Sequence, residues 1–123
     1  MAFDGWEECI AALLGLSSGR PLLVVLDAFP YLTAATPALP SIIQAAFGPR
    51  AAPRRRSRVR LILYGSALTF MSRLLSGDAP LRGRAGLELS VGPFDYRQAA
   101  AFWGLETPDL AFRVHAIVGG TPA

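Results

Sequence analysis

Two largely apolar runs of strand length, Leu22 to Leu26 and Val59 to Tyr64, flank a stretch with helical periodicity, and this spacing limits the fold more than any other feature. Continuous apolar runs rich in β-branched residues read as strands buried on both faces, and a helical crossover between them favours a parallel sheet. The breaker run Ser17 to Pro21 sets off the first strand and Asp27 closes it. Thr36-Pro37 supplies a helix start, Leu39, Ile42, Ile43, Ala46 and Phe47 share one helical face from Ala38 to Phe47, and Gly48-Pro49 stops the helix. Pro40 falls in the first turn, where its missing N–H does little harm. After the second strand, Gly65-Ser66 leads into a helix through Ala67, Leu68, Met71, Leu74 and Leu75. The expected class is α/β, a parallel sheet with flanking helices.

Around this centre the signals are shorter. Trp6, Ile10, Leu13 and Leu14 recur three or four apart between Phe3 and Leu16, with acids early and Gly15 late, as an amphipathic helix requires. A loop rich in Gly, Pro and Arg runs from Ser76 to Gly86, an alternating strand is expected from Leu87 to Val91, and two helices over Tyr96–Trp103 and Pro108–Val118. Trp6 and Trp103 read as anchors of helix packing. A length of 123 residues suits one domain, 1–123, or part of one.

An apolar fraction of 52% excludes a disordered chain, yet no apolar run approaches the roughly 18–20 residues of a membrane helix. Met1 to Glu8 carries Asp4, Glu7 and Glu8 where a secretory signal carries cations, so the expected compartment is the cytoplasm. Cys9, the single cysteine, reads as a small apolar residue on a helix. The net charge of +3 comes mainly from the arginines at 50, 54, 55, 56, 58 and 60. Arg54, Arg55 and Arg56 are candidates for contact with nucleic acid, although no aromatic residue is interleaved in sequence to stack bases, and a solvated loop accounts for the run equally simply.

The acid at the end of the first strand carries the chemistry. An apolar strand closing on Asp has the form of a Walker B element, whose carboxylate holds Mg²⁺ through water beside nucleotide phosphates. An Asp at that place also caps a following helix in many folds. The stretch Leu22 to Leu32, with Asp27-Ala28-Phe29-Pro30-Tyr31-Leu32 at its end, resembles the Walker B box of archaeal-type AAA ATPases, where Asp-Glu-Phe is followed by Pro or Gln, Tyr and Leu. Ala28 replaces the glutamate that polarises water in that family, a loss worth on the order of 10²–10⁴ in rate.

Four further boxes follow in the family's order. Leu61 to Leu68 resembles its next strand, which ends in Gly-Ser, and the resemblance makes Ser66 the sensor 1 residue; a helix N-cap is the plainer role, and both can hold at once. Ala79-Pro80-Leu81-Arg82-Gly83-Arg84 resembles the Ser-Pro-Leu-Tyr-Gly-Arg box, with Arg82 where an aromatic is usual and Arg84 as the implied arginine finger or, failing that, a surface ion-pair partner. Val91-Gly92-Pro93-Phe94 resembles the Pro-Phe closing the last core strand, and Phe112 to Pro122 the helix ending in Gly-Gly-x-Pro. Gly119 serves a helix C-terminus in any case, and His115 reads as a packed or surface residue.

The resemblance implies a partial P-loop NTPase core that works on ATP with Mg²⁺, Asp27 facing the metal and Ser66 and Arg84 the reacting phosphate. The phosphate-binding loop Gly-x-x-x-x-Gly-Lys-Ser/Thr, Walker A, occurs nowhere in the 123 residues. The chain therefore reads as a core cut from a longer ATPase, without turnover of its own, whose sheet either shows a gap between Val59–Tyr64 and Leu87–Val91 or pairs those strands directly. The alternative is a binding module without enzyme activity, using the Arg50 to Arg60 stretch on nucleic acid or a sheet edge on a protein.

Overall fold

A computed structural model describes residues 2–49, 51 and 56–121; Arg50, Arg54 and Arg55 of the basic run, and Pro122, lie outside the described residues. The chain divides into two compact units, Met1–Gly86 and Leu87–Ala123.

The first unit is mixed α/β. Helix α1 spans Trp6–Leu16, with Glu7 and Glu8 in its first turn, where they favour the positive end of the helix dipole. It buries Ile10 and Leu14, one turn apart on the same face. Strands β1, Leu22–Leu26, and β2, Val59–Leu63, pair in parallel with Leu22 opposite Val59 and Leu26 opposite Leu63. Between them lie α2, Phe29–Ala35, and α3, Leu39–Ala46; after β2 comes α4, Leu68–Leu74. Ile10, Leu14, Phe29, Leu39, Ile43, Val59, Leu74 and Leu81 form one buried cluster, with Leu22, Val24, Leu26, Leu61 and Leu63 of the sheet packed against it. Among the buried hydroxyls of this apolar unit, those of Ser17 and Ser57 lie 2.5 Å apart at the end of α1 and the approach to β2.

Three expectations need correction here. The strands are buried on one face, not two: Leu22, Val24 and Leu26 point into the core, while Leu23, Val25 and Ile62 are exposed. A run of apolar residues reports strand character, not how many layers cover the sheet. Helix α2 occupies a stretch in which no helix was expected, and α3 begins at Leu39 instead of near Thr36.

In the second unit no strand forms at Leu87–Val91. The segment has no regular secondary structure, and Leu87, Leu89 and Val91 stay 80%, 76% and 78% exposed. Alternation suits a strand, but a strand needs a ladder partner, and the sheet among the described residues is β1–β2 alone. Direct pairing of β2 with 87–91 does not occur among them. The two helices form as expected, α5 at Tyr96–Trp103 and α6 at Pro108–Val118, and they pack with Ala99 and Ala111 buried. Asp95 and Gln98 form a reciprocal capping box at the start of α5, and Gly104 ends the helix at φ 67°. Phe94 N–H donates to the Gly120 carbonyl at 2.8 Å, an approach so close that a Cβ on Gly120 would meet the Phe94 oxygen.

No helix among the described residues is long and apolar enough to cross a membrane.

Candidate functional site

Parallel pairing in register carries β1 and β2 to the same end of the sheet. Beyond the last strand pair, Tyr64 N–H donates to the Leu26 carbonyl at 3.0 Å, and Phe29 N–H to the Tyr64 carbonyl at 2.9 Å. These two bonds prolong the pairing by one step on each side of Asp27, so the carboxylate leaves the sheet beside the segment that leads to Ser66. The rim they form is the carboxyl end of a parallel sheet, the side on which α/β folds bind their ligands.

Asp27 is exposed. Its Oδ1 accepts from the Ala28 N–H at 2.6 Å, and α2 has no side-chain cap; the capping role is not the one it plays. Ala28 is held at φ 52°, ψ 38°, the left-handed region, in which an L-residue costs about 1–2 kcal/mol relative to its ordinary conformation. The turn it makes sends the chain from β1 directly into α2, where Phe29 is fully buried and holds the first turn against the core.

Ser66 is exposed as well. The cap position of α4 is taken by Ala67, without a side-chain bond, so Ser66 does not act as the N-cap either. Ahead of it, Gly65 allows an approach that no other residue permits: a Cβ there would stand 2.6 Å from Pro30 Cδ and 3.1 Å from Met71 Sδ. Glycine thus lets the exit of β2 lie against the first turn of α2, which keeps the segments carrying Asp27 and Ser66 together.

Arg84 stands on a turn that is anchored from below. Leu81 is buried in the core cluster, the Arg84 N–H donates to the Leu81 carbonyl at 3.0 Å, and Gly83 between them takes φ 68°. Arg82 bends back and donates through Nη1 to the Gly77 carbonyl at 2.9 Å, which closes the loop on itself. The Arg84 guanidinium is exposed and makes no ion pair among the described residues, so the surface ion pair is not formed there.

The arrangement brings the segment after Leu26 beside Tyr64 and Gly65, which lead to Ser66, and holds Arg84 on a turn anchored by Leu81. A single exposed carboxylate fits Mg²⁺, which keeps most of its water and is held by one or two acids together with phosphate oxygens. Among the described residues no group of three His, Cys, Asp or Glu side chains converges on a point, so a metal site built from protein ligands alone is not part of this structure. The apolar cavity under α1, about 40 Å³ and lined by Trp6, Cys9, Leu14, Val24 and Phe47 among others, is an order of magnitude below the size of nucleotide-holding clefts. Cys9 faces that cavity and is a free thiol. His115 is half-buried on α6, its Nδ1 without a hydrogen-bond partner among the described residues.

Sequence reasoning missed the backbone conformation at Ala28 and the burial of Leu81. Alanine carries no mark of a left-handed turn; the Gly83 next to Leu81 did announce a turn, but not which neighbour enters the core. Compared with family models, with curated proteins and with solved structures, the chain finds no match in any of the three.

Proposed function

We propose that this chain carries the metal-facing and water-facing side of an ATP-hydrolysing site of the archaeal AAA kind. Asp27 would hold Mg²⁺ through water, Ser66 would orient the water or the terminal phosphate, and Arg84 would neutralise charge developing on the transferred phosphoryl group. One observation supports the reading above the rest: the parallel β1–β2 pairing brings Asp27 and the Ser66 segment out at one rim, with both side chains released from capping duty.

The phosphates themselves need a cradle of backbone N–H groups and a lysine, and these 123 residues contain neither that motif nor any lysine. Ala28 offers no proton acceptor. The chain by itself therefore turns over no ATP, and turnover in a longer polypeptide that supplies the phosphate loop stays slow.

The test is Mg²⁺-dependent binding of ATP, measured by equilibrium dialysis on the chain and on a polypeptide in which a phosphate-loop segment is joined to it. Binding should appear only in the second, and Asp27→Ala should weaken it about tenfold. Binding in the joined polypeptide that is indifferent to Asp27→Ala, Ser66→Ala and Arg84→Ala would remove the proposal.

A further inference from the structure

The sheet of the first unit is closed on one side only. On the other, Leu23 and Val25 of β1 are 61% and 54% exposed, and Ile62 and Tyr64, on and just after β2, are 46% and 58% exposed. The register sets Val25 beside Ile62 and Leu23 beside Arg60, so these side chains form one continuous surface. Parallel sheets are found almost only with both faces covered, and a contiguous exposed apolar patch marks a place of contact.

Charge gathers at the amino end of β2. Arg60, on the strand, and Arg58, just before it, are exposed, while Val59 between them is buried. Arg58 and Arg60 form no ion pair among the described residues. The outer surface is thus apolar toward the carboxyl end of the strands and cationic toward the amino end.

We infer that this face docks an amphipathic helix of a protein partner, its apolar stripe over Leu23, Val25 and Ile62 and its acidic residues over Arg58 and Arg60. Dimensions agree. Two strands lying about 4.8 Å apart present a strip close to the 10–12 Å width of a helix, and five residues at about 3.3 Å each accommodate roughly three helical turns. A second copy of the chain fits poorly, because stacking two such faces sets arginines against the aliphatic and arginine side chains of the same face, and the strip is far smaller than the roughly 800 Å² per partner of a stable dimer. Nucleic acid fits the arginines but has no use for the aliphatic centre, which offers a single aromatic, Tyr64, for stacking. The inference stands apart from the ATPase reading, since neither Asp27 nor Ser66 takes part in it.

The probe is a fluorescein-labelled 15-residue peptide of leucine, alanine and glutamate, with leucines at helical spacing and glutamates in the turn meant for the arginines. A second peptide of the same composition with the leucine spacing broken serves as control, and binding is read by fluorescence anisotropy. Saturable binding of the first peptide is expected, weakened about tenfold by Val25→Asp or Ile62→Asp and also by Arg60→Glu. Val25→Ser and Ile62→Ser, gentler changes at the same exposed positions, should weaken it in the same order while the circular dichroism spectrum stays unchanged. No binding, equal binding of the two peptides, or binding indifferent to Val25 and Ile62 would overturn the inference. So would tighter binding of a 15-nucleotide oligothymidylate through Arg58 and Arg60, or a dimer in light scattering that Val25→Asp dissolves.

Discussion

The hydroxyl oxygens of Ser17 and Ser57 lie 2.5 Å apart, both buried, at the junction of α1 with the start of β2. Ser17 donates to the Leu14 carbonyl at 2.9 Å, shares a hydrogen bond with the Ser57 hydroxyl, and also accepts through Oγ from the Arg58 N–H at 3.1 Å. Ser57 Oγ in turn accepts from Val59 N–H. One pair of side chains thus satisfies the last turn of a helix and the first amides of a strand 40 residues away.

Removing either hydroxyl takes a hydrogen-bond partner away from buried polar groups. Ser17→Ala and Ser57→Ala should each lower stability by about 1–3 kcal/mol, and the double variant should cost less than the sum of the two. Urea unfolding followed by circular dichroism checks both statements; additive losses would show that the two hydroxyls act separately.

Gly65 and Pro30 form a tight contact that hands over from β2 to α2. Gly65→Ala places a Cβ 2.6 Å from Pro30 Cδ, a clash expected to cost about 1–3 kcal/mol. Adding Pro30→Ala removes the ring it meets and should restore part of the loss. A fully retained melting temperature in Gly65→Ala would refute the close approach.

Ala28 offers two opposite experiments. Ala28→Gly relieves the left-handed strain at φ 52° and should raise stability by about 0.5–1 kcal/mol, net of the greater freedom of glycine in the unfolded chain. Ala28→Glu leaves the strain in place but returns a proton acceptor beside Asp27. In a polypeptide that also supplies the phosphate loop it should raise ATP turnover by a factor on the order of 10²–10⁴, measured as phosphate release under saturating ATP.

Leu81 and Arg84 separate structure from chemistry on one turn. Leu81→Ala should cost about 2–5 kcal/mol, because its side chain is buried in the core cluster. Arg84→Ala, at an exposed position, should change stability by less than about 0.5 kcal/mol. Any loss of turnover in the joined polypeptide on Arg84→Ala then reports chemistry alone.

Where periodicity and punctuation agreed, the fold was legible. Leu22–Leu26 with Pro21 before it, and Pro108–Val118 ending at Gly119, have the bounds read from residue pattern alone. Helix α2 was not legible: it is 7 residues long, starts after an alanine instead of a capping side chain, and carries Pro30 in its first turn. Leu87–Val91 misled in the other direction, since its alternation is that of a strand while the hydrogen-bonding partner it needs is absent from the sheet. Of the candidate site, the parallel pairing of the two strands that lead to Asp27 and Ser66 was legible. The support beneath it, Gly65 against Pro30 and Leu81 under Arg84, depends on tertiary contacts that no local pattern encodes.

The irregular stretch at 87–91, with exposed side chains and no ladder to break, offers backbone that proteolytic enzymes can reach. A brief digestion would cut there first and release a piece ending near Gly86, with its serine pair, both strands and the Leu81 anchor intact. That piece keeps Asp27, Ser66 and Arg84 within one compact unit.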